Sequence, residues 1–182
     1  MRGSVGVPLP GVDVRLIEAG GGDALVGDPG EVWVRGPNVF AGYFGDAEAT
    51  ERVLDPDGWL HTGDVAVAAA GGWLHLIDRA KDLVIVSGFN VYPQEVERVI
   101  AAVDGVAEVA VVGSVHAHGG ETVVAYVVRE PGATLSEADV TGACRAHLAG
   151  YKCPSSVFFV DSLPRAAAGE VLRRALRPDP VA

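Results

Sequence analysis

The chain has 182 residues, which suits one larger domain or two small ones, and 49% of them are hydrophobic, which supports a packed core. Acidic residues number 24 against 14 basic ones, and the net charge of −10 argues against a nucleic-acid-binding surface. No apolar run reaches the roughly 18 residues that span a bilayer, two cysteines are too few for a disulfide scaffold, and we expect no signal peptide at the start. We therefore expect a soluble cytoplasmic protein with free thiols.

The first part of the chain, residues 1–77, has the sequence pattern of an all-β module. Short runs of alternating apolar residues are separated by turn residues, and Gly71-Gly72 predicts the turn of a hairpin. One stretch between the strands, DAEATERVL (46–54), predicts a short helix. The pattern predicts a small β-barrel-like module.

The second part, residues 83–182, alternates between strands and helices. Two short strands are predicted around Gly88, and Pro93 suits the first position of the helix that follows. Ser136 and Asp139 form the capping box of a later helix. Further strands are predicted at 106–114, 121–130 and 155–163, and a last basic helix from Glu170 onward. The prediction is an α+β fold in which a compact domain with a three-stranded sheet and flanking helices follows the β-module across a hinge at 78–82.

Three stretches in series carry a family resemblance: GWLHTGD (58–64), LIDRAKDLVIVSGFNVYPQEVE (76–97) and SLPRAAAGEVLRRALR (162–177). They resemble the C-terminal motifs of the adenylate-forming acyl-CoA synthetases, the superfamily of fatty-acyl-CoA ligases, luciferases and peptide adenylation domains. Their order and spacing fit from about Gly3 to Arg177. The resemblance implies a two-step reaction, in which a carboxylate and ATP form acyl-AMP and pyrophosphate, and coenzyme A then displaces AMP. It also implies a small C-terminal domain that rotates between the steps, with ATP, coenzyme A and Mg²⁺ serving the complete enzyme.

The resemblance assigns roles to individual residues. Asp64 is similar to the carboxylate that accepts hydrogen bonds from the ribose hydroxyls of AMP, and Arg79 to a residue on the ribose and phosphate side. Lys81 falls at the hinge position, and Gly88 resembles the glycine that lines the pantetheine tunnel. Each residue also has a plain structural interpretation: Asp64 as the start of a strand, Gly88 as a hairpin turn and Lys81 as an exposed linker lysine.

Glu170 departs from the family pattern. The family carries Pro-Arg/Lys-Thr-x-x-Gly-Lys here, with a lysine that bridges the substrate carboxylate and the α-phosphate, whereas this chain ends the motif in Gly169-Glu170. An acid at the first turn of a helix also suits the helix dipole, which explains the residue structurally. As a replacement for the lysine, Glu170 predicts poor adenylation.

The larger N-terminal region of the family, with its phosphate-binding loop, is not matched by any part of residues 1–182. We therefore expect the chain alone to bind nucleotide poorly and to be inactive in adenylation, and we expect its partner to be a synthetase N-terminal region or a second copy that covers exposed apolar surface. Two other functions stay open: a non-catalytic binding or regulatory module, and one half of a split ligase. A fatty acid is the expected substrate.

Other residue groups give weaker signals. The stretch His116-Ala117-His118 has two imidazoles but lacks neighbouring residues at metal-ligand spacing, so no metal site is expected. Cys144 with His147 suggests either a thiolate pair or packing against the sheet, and packing is the preferred interpretation. Lys152 is a weak candidate for the phosphates of coenzyme A.

Overall fold

The structure is a computed structural model that describes residues 3–115 and 120–176. The chain divides into two compact units, Met1–Lys81 and Asp82–Ala182. The candidate metal-binding stretch at 116–118 lies outside the described residues. No helix in the described ranges combines the length and the apolar character needed to cross a membrane.

The first unit is an antiparallel sheet in which every strand pairs with its neighbour in sequence, in the order β1-β2-β3-β4. The strands are β1 (Asp13–Ile17), β2 (Pro29–Arg35), β3 (Leu60–Ala68) and β4 (Leu74–Arg79), and helix α1 (Ala47–Glu51) lies between β2 and β3. The predicted short helix and the hairpin around Gly71-Gly72 are confirmed. The sheet is open, because the described strands β1 and β4 are its two edges and do not pair. The barrel-like closure predicted from the alternating pattern is therefore wrong.

The core of the first unit is small. One cluster of buried residues contains Leu16, Val32 and Ala66. Several large apolar side chains remain exposed on the same unit: Val5, Val7, Leu9, Leu25, Val26 and Phe44. Four strands without a second layer bury little apolar area, so this unit presents apolar surface to its surroundings.

The second unit has the predicted α+β architecture with a three-stranded sheet. A hairpin of β5 (Val84–Val86) and β6 (Phe89–Val91) precedes a sheet of order β7-β8-β9, with β7 and β8 antiparallel and β8 and β9 parallel. The remaining elements are α2 (Pro93–Ala101), β7 (Val106–Val115), β8 (Glu121–Arg129), α3 (Glu137–His147) and β9 (Ser156–Phe159). The parallel pair is possible because α3 carries the chain back between β8 and β9.

Both faces of this sheet are covered. Val111 of β7 packs in a cluster with Ile100 of α2 and Val140 of α3, whereas its neighbours Ala110 and Val112 pack in a second cluster on the other face. The second cluster includes Leu163 and Leu176, which belong to the end of the chain. Alternate residues of β7 thus pack in clusters on opposite faces of the sheet, because successive side chains of a strand point to opposite faces.

Helix α3 begins as predicted. The Ser136 Oγ accepts the Asp139 N–H at 3.3 Å, and an Asp139 carboxylate oxygen accepts the Ser136 N–H at 2.9 Å. These bonds complete the capping box. The hydrogen bonds from Ser136 also hold the pKa of Asp139 below its ordinary value.

The predicted last helix, from Glu170 onward, is wrong. The Ala166 N–H donates to the Glu170 carbonyl at 2.8 Å and the Leu172 N–H to the Pro164 carbonyl at 2.8 Å, so residues 164–172 fold back on themselves. Among the described residues after this loop, only Arg173–Ala175 winds, as a short 3-10 helix. Glu170 therefore opens no helix, and the helix-dipole explanation for its charge does not apply.

Candidate functional site

Asp64 and Arg79 lie directly opposite each other on β3 and β4. The Arg79 Nε donates to the Asp64 Oδ1 at 3.2 Å, and the two side chains keep 56% and 35% of their surface exposed. The hairpin turn at Gly71-Gly72 brings the two strands together, and a register shift between Val65 and Ala66 sets Arg79, rather than Asp78, opposite Asp64. The plain interpretation of Asp64 as the first residue of a strand does not hold, since β3 begins at Leu60.

The backbone before Asp64 is held by side chains of the motif itself. The Thr62 hydroxyl donates to the Val32 carbonyl at 2.8 Å and accepts the Asp64 N–H at 3.1 Å. Gly63 adopts a φ of +71°, which favours glycine, and its N–H donates to the Glu31 carboxylate at 3.1 Å. Thr-Gly-Asp thus fixes the direction of the strand where the carboxylate projects.

Arg79 has a buried acidic neighbour that the sequence analysis missed. The Asp78 residue is 3% exposed, and its Oδ1 accepts the Arg79 N–H at 2.8 Å. A buried carboxylate is costly unless its oxygens accept hydrogen bonds. Asp78 therefore fixes the end of β4, and with it the base of the Arg79 side chain.

Lys81 and Gly88 lie in two different turns. Lys81 is exposed in the 3-10 helix Ala80–Asp82, at the last position of the first unit. Gly88 is exposed between β5 and β6, where Ser87 and Gly88 have φ values of +50° and +84°. Positive φ at both central residues is the pattern of a tight hairpin turn. No other described atom lies within 4 Å of the place where a Cβ on Gly88 would stand, so the chain itself requires glycine for its conformation.

Glu170 is exposed near the end of the folded-back segment 164–172, which we call the tail loop. The Arg165 guanidinium donates to the Gly169 carbonyl at 2.7 Å and pairs with the Glu108 carboxylate on β7. Gly169 has a φ of +91°, which turns the backbone immediately before Glu170. The acidic side chain thus projects from a closed loop that is attached to the sheet.

The weaker candidates have structural roles. Cys144 is buried, burial and the nearby Cys153 raise its pKa to about 11, and the His147 Nδ1 lies 2.9 Å from the Ala143 carbonyl. Packing, the preferred interpretation of Cys144, is confirmed. The Lys152 Nζ pairs with Glu95 at 2.7 Å. Within the described ranges no three His, Cys, Asp or Glu side chains are grouped to hold a metal ion.

The structure thus brings Asp64 and Arg79 together in the first unit. In the second unit, Gly88 and Glu170 lie on separate segments, a hairpin and the tail loop. Arg173, in the basic run that follows the tail loop, bonds to Glu97, and this contact was not predicted from the sequence. No local pattern signals this contact, because the two residues are far apart in the chain.

Comparison with known proteins identifies the family of the chain. Residues 95–170 match the family of AMP-binding enzyme C-terminal domains, and residues 1–44 match the AMP-binding enzyme family. The chain belongs to the AMP-binding enzymes. Over 179 residues it is 47% identical to a long-chain-fatty-acid–CoA ligase of Yersinia pestis, covering 98% of this chain and 32% of that protein.

Two further proteins support this membership. A 3-[(3aS,4S,7aS)-7a-methyl-1,5-dioxo-octahydro-1H-inden-4-yl]propanoyl:CoA ligase of Rhodococcus jostii is 48% identical over 174 residues, covering 96% of this chain and 32% of its own length. The ATP-bound crystal structure of MatB from Rhodopseudomonas palustris matches with a TM-score of 0.89 at 46% identity, over 96% of this chain and 35% of MatB. The apo MatB structure, at the same identity, matches with a TM-score of 0.69 over 97% of this chain and 36% of MatB. This AMP-binding enzyme chain therefore spans about a third of the length of the relatives it matches and corresponds to their C-terminal portion.

Proposed function

We propose that this chain supplies the C-terminal part of an acyl-CoA synthetase, which converts a carboxylic acid, ATP and coenzyme A into acyl-CoA, AMP and pyrophosphate through acyl-AMP. The observation that carries the proposal is the Asp64–Arg79 pair on adjacent strands. The pair places a hydrogen-bond acceptor for ribose hydroxyls beside a cation for a phosphate, at one exposed position.

The pair suits a nucleotide chemically. An ionised carboxylate can accept hydrogen bonds from both hydroxyls of a vicinal diol, and a guanidinium has five N–H donors, so Arg79 retains donors beyond its bond to Asp64. Arg79 also keeps the carboxylate oriented before the ribose arrives. We therefore assign Asp64 to the ribose hydroxyls and Arg79 to the ribose and phosphate side of AMP.

Glu170 weakens the first half of the reaction. A cation about 4 Å from a phosphate gains about 4 kcal/mol at an effective dielectric near 20, and an anion in the same place loses a comparable amount. Removal of one preorganised stabilising group commonly lowers a rate by about a hundredfold to a thousandfold. We propose that this part of the chain supports acyl-AMP formation poorly.

The second half of the reaction uses a different surface. The hairpin tip at Gly88 adjoins Phe89, whose exposed ring stacks on Tyr151 with a centroid distance of 4.8 Å. A flat aromatic surface beside a glycine turn suits an extended thiol carrier, so we assign Gly88 to the pantetheine arm of coenzyme A. We place the hinge at Lys81, the last residue of the first unit.

The decisive test uses a chimera of this chain with the N-terminal region of a long-chain-fatty-acid–CoA ligase. Glu170→Lys should raise pyrophosphate release in the acyl-AMP step at least tenfold. Thioester formation from preformed acyl-AMP should change less than twofold. Equal adenylation rates for both versions would refute the assignment of position 170.

We expect this chain to contain only part of the nucleotide site. Asp64 and Arg79 would contact one side of the ribose. The relatives are about three times as long as the matched region, which agrees with the remaining contacts coming from their unmatched part. We therefore expect calorimetry on the chain alone to show no saturable binding at millimolar ATP. Saturable micromolar binding would contradict this expectation.

A partner surface follows from the exposed apolar residues of the first unit. Val7, Leu9 and Phe44 are all exposed, with Phe44 fully accessible, and we propose that a synthetase N-terminal region covers them. The same surface is the observation that favours the second candidate, a non-catalytic module that docks on a complete synthetase. Mixing the chain with a synthetase N-terminal region distinguishes the two candidates, because only a chain that supplies the catalytic C-terminal part restores thioester formation.

The name of the Yersinia pestis relative supports a fatty acid as substrate, and the two free cysteines agree with a cytoplasmic location.

A further inference from the structure

The tail loop is followed at once by an arginine that reaches two acids elsewhere in the second unit. The Arg173 Nη2 donates to both oxygens of Glu97 at 2.9 Å, and its Nη1 lies 3.7 Å from the Asp82 Oδ2. The three side chains are largely buried, with 23%, 16% and 15% of their surface exposed for Arg173, Glu97 and Asp82. One guanidinium thus joins the end of the loop, helix α2 and the first residue of the unit.

Glu97 is itself fixed to the sheet. Its Oε1 accepts the N–H of Val111 at 2.8 Å, and β7 is the strand at the edge of the sheet order β7-β8-β9. Val111 is fully buried in the main core. Through Glu97, Arg173 therefore attaches the end of the tail loop to a buried position of β7.

The other end of the tail loop is anchored independently. Leu163 and Leu176 flank the loop and Arg173, and both are buried in the cluster on the outer face of the sheet. Arg165 joins the loop to Glu108 of β7. The loop is consequently held on both sides, by Arg165 and Val171 on the sheet and by Arg173 just after its C-terminal end.

We infer that Arg173 is a positioning residue for residue 170. The inference rests on the proposed function, in which residue 170 occupies the place of the adenylation lysine. Through Glu97 and Asp82, Arg173 keeps the loop in a fixed relation to the residue that follows the Lys81 hinge. Loss of Arg173 leaves two largely buried carboxylates without that guanidinium and releases the loop end, because a buried acid that loses its cation must rearrange toward water. A misplacement of about 1 Å can lower a rate a hundredfold, so adenylation is the sensitive step.

The test has a structural arm and a kinetic arm. In this chain, Arg173→Gln should raise amide hydrogen exchange in residues 164–172 at least tenfold, as measured by mass spectrometry. Arg174→Gln is the matched control, because Arg174 is the adjacent and exposed arginine, and it should change exchange less than twofold. If Arg173→Gln does not fold, Glu97→Gln keeps the shape of the side chain, removes its charge and should raise exchange at least threefold.

The kinetic arm uses the Glu170→Lys chimera. Arg173→Gln should lower acyl-AMP formation at least tenfold and leave thioester formation from acyl-AMP within twofold, while Arg174→Gln should leave both unchanged. Unchanged loop exchange, or equal losses in both steps, would overturn the positioning role. A Glu170→Lys chimera without any gain in adenylation would instead refute the proposed function, and the exchange experiment would still decide whether Arg173 fixes the loop.

Discussion

The two units of this chain differ in how completely they bury their apolar side chains. The second unit covers both faces of its sheet and contains fully buried residues such as Ile100, Val111 and Val140. The first unit has four strands, a cluster of three buried residues and many exposed apolar side chains. We therefore expect the second unit to be stable by itself and the first to need cover from other protein, as proposed above. The predictions below test this contrast.

The largest effect is expected in the core of the second unit. Ile100→Ala should lower the free energy of unfolding by about 3 kcal/mol, since it removes buried methyl and methylene groups and leaves a cavity. For a unit of this size the loss corresponds to a fall in Tm of more than about 10 °C in calorimetry. Ile85→Ala is the exposed control and should have little effect.

The difference between the two units is tested by measuring which unit's thermal unfolding transition each core substitution shifts. Ile100→Ala should shift only the transition of the second unit, and Val32→Ala should shift only that of the first, by about two thirds as much because two carbons are removed instead of three. A common shift of a single transition would show that the units unfold together, and the comparison would fail.

A smaller effect is expected at the start of α3. Ser136→Ala should lower stability by about 1 kcal/mol at pH 7, because the helix loses its N-cap. The folded pKa of Asp139 lies below its unfolded value, so its contribution is present above the unfolded pKa of about 3.9 and is lost as the pH falls through the folded pKa. Denaturation curves should therefore show the Asp139→Asn defect at pH 7 and a smaller one near pH 3. An identical defect at both pH values would contradict the capping box as its source.

The smallest effect on stability is expected at the candidate nucleotide site of the first unit. Arg79→Gln should change the free energy of unfolding by less than about 0.5 kcal/mol, since its ion pair with Asp64 is exposed. In the chimera with Lys at position 170, the same substitution should raise the KM for ATP at least tenfold. A large loss of stability with an unchanged KM would make Arg79 a structural residue.

The sequence predicted best what depends on neighbouring residues. The capping box of α3, the Pro93 helix start and the tight turn at Gly88 are local, and the structure has all three. Closure of the first sheet depends on whether distant strands pair, and the alternating pattern does not decide that. The last helix was mispredicted because Val171 and Leu176 are apolar for packing on the sheet, while the backbone from Pro164 to Leu172 forms a closed loop.

The candidate site divides in the same way. The hairpin places Asp64 near the end of β4, but a regular register would set it opposite Asp78, and only the irregularity between Val65 and Ala66 brings Arg79 opposite it. The ties of Arg173 to Glu97 and Asp82 join residues that are distant in sequence, and only the folded unit brings them together. The sequence thus predicts that Asp64 and Arg79 lie on neighbouring strands, whereas their exact pairing and the contacts of Arg173 follow only from the folded chain.

The contact between Glu97 and the edge of β7 has a consequence for solubility. An edge strand with free N–H groups invites another chain to add a strand, which is a route to aggregation. Because the Glu97 carboxylate occupies the Val111 N–H in the middle of β7, an incoming strand must displace a charged group that Arg173 holds in place. We therefore expect the ion pair that holds the tail loop also to hinder edge-to-edge assembly of the sheet.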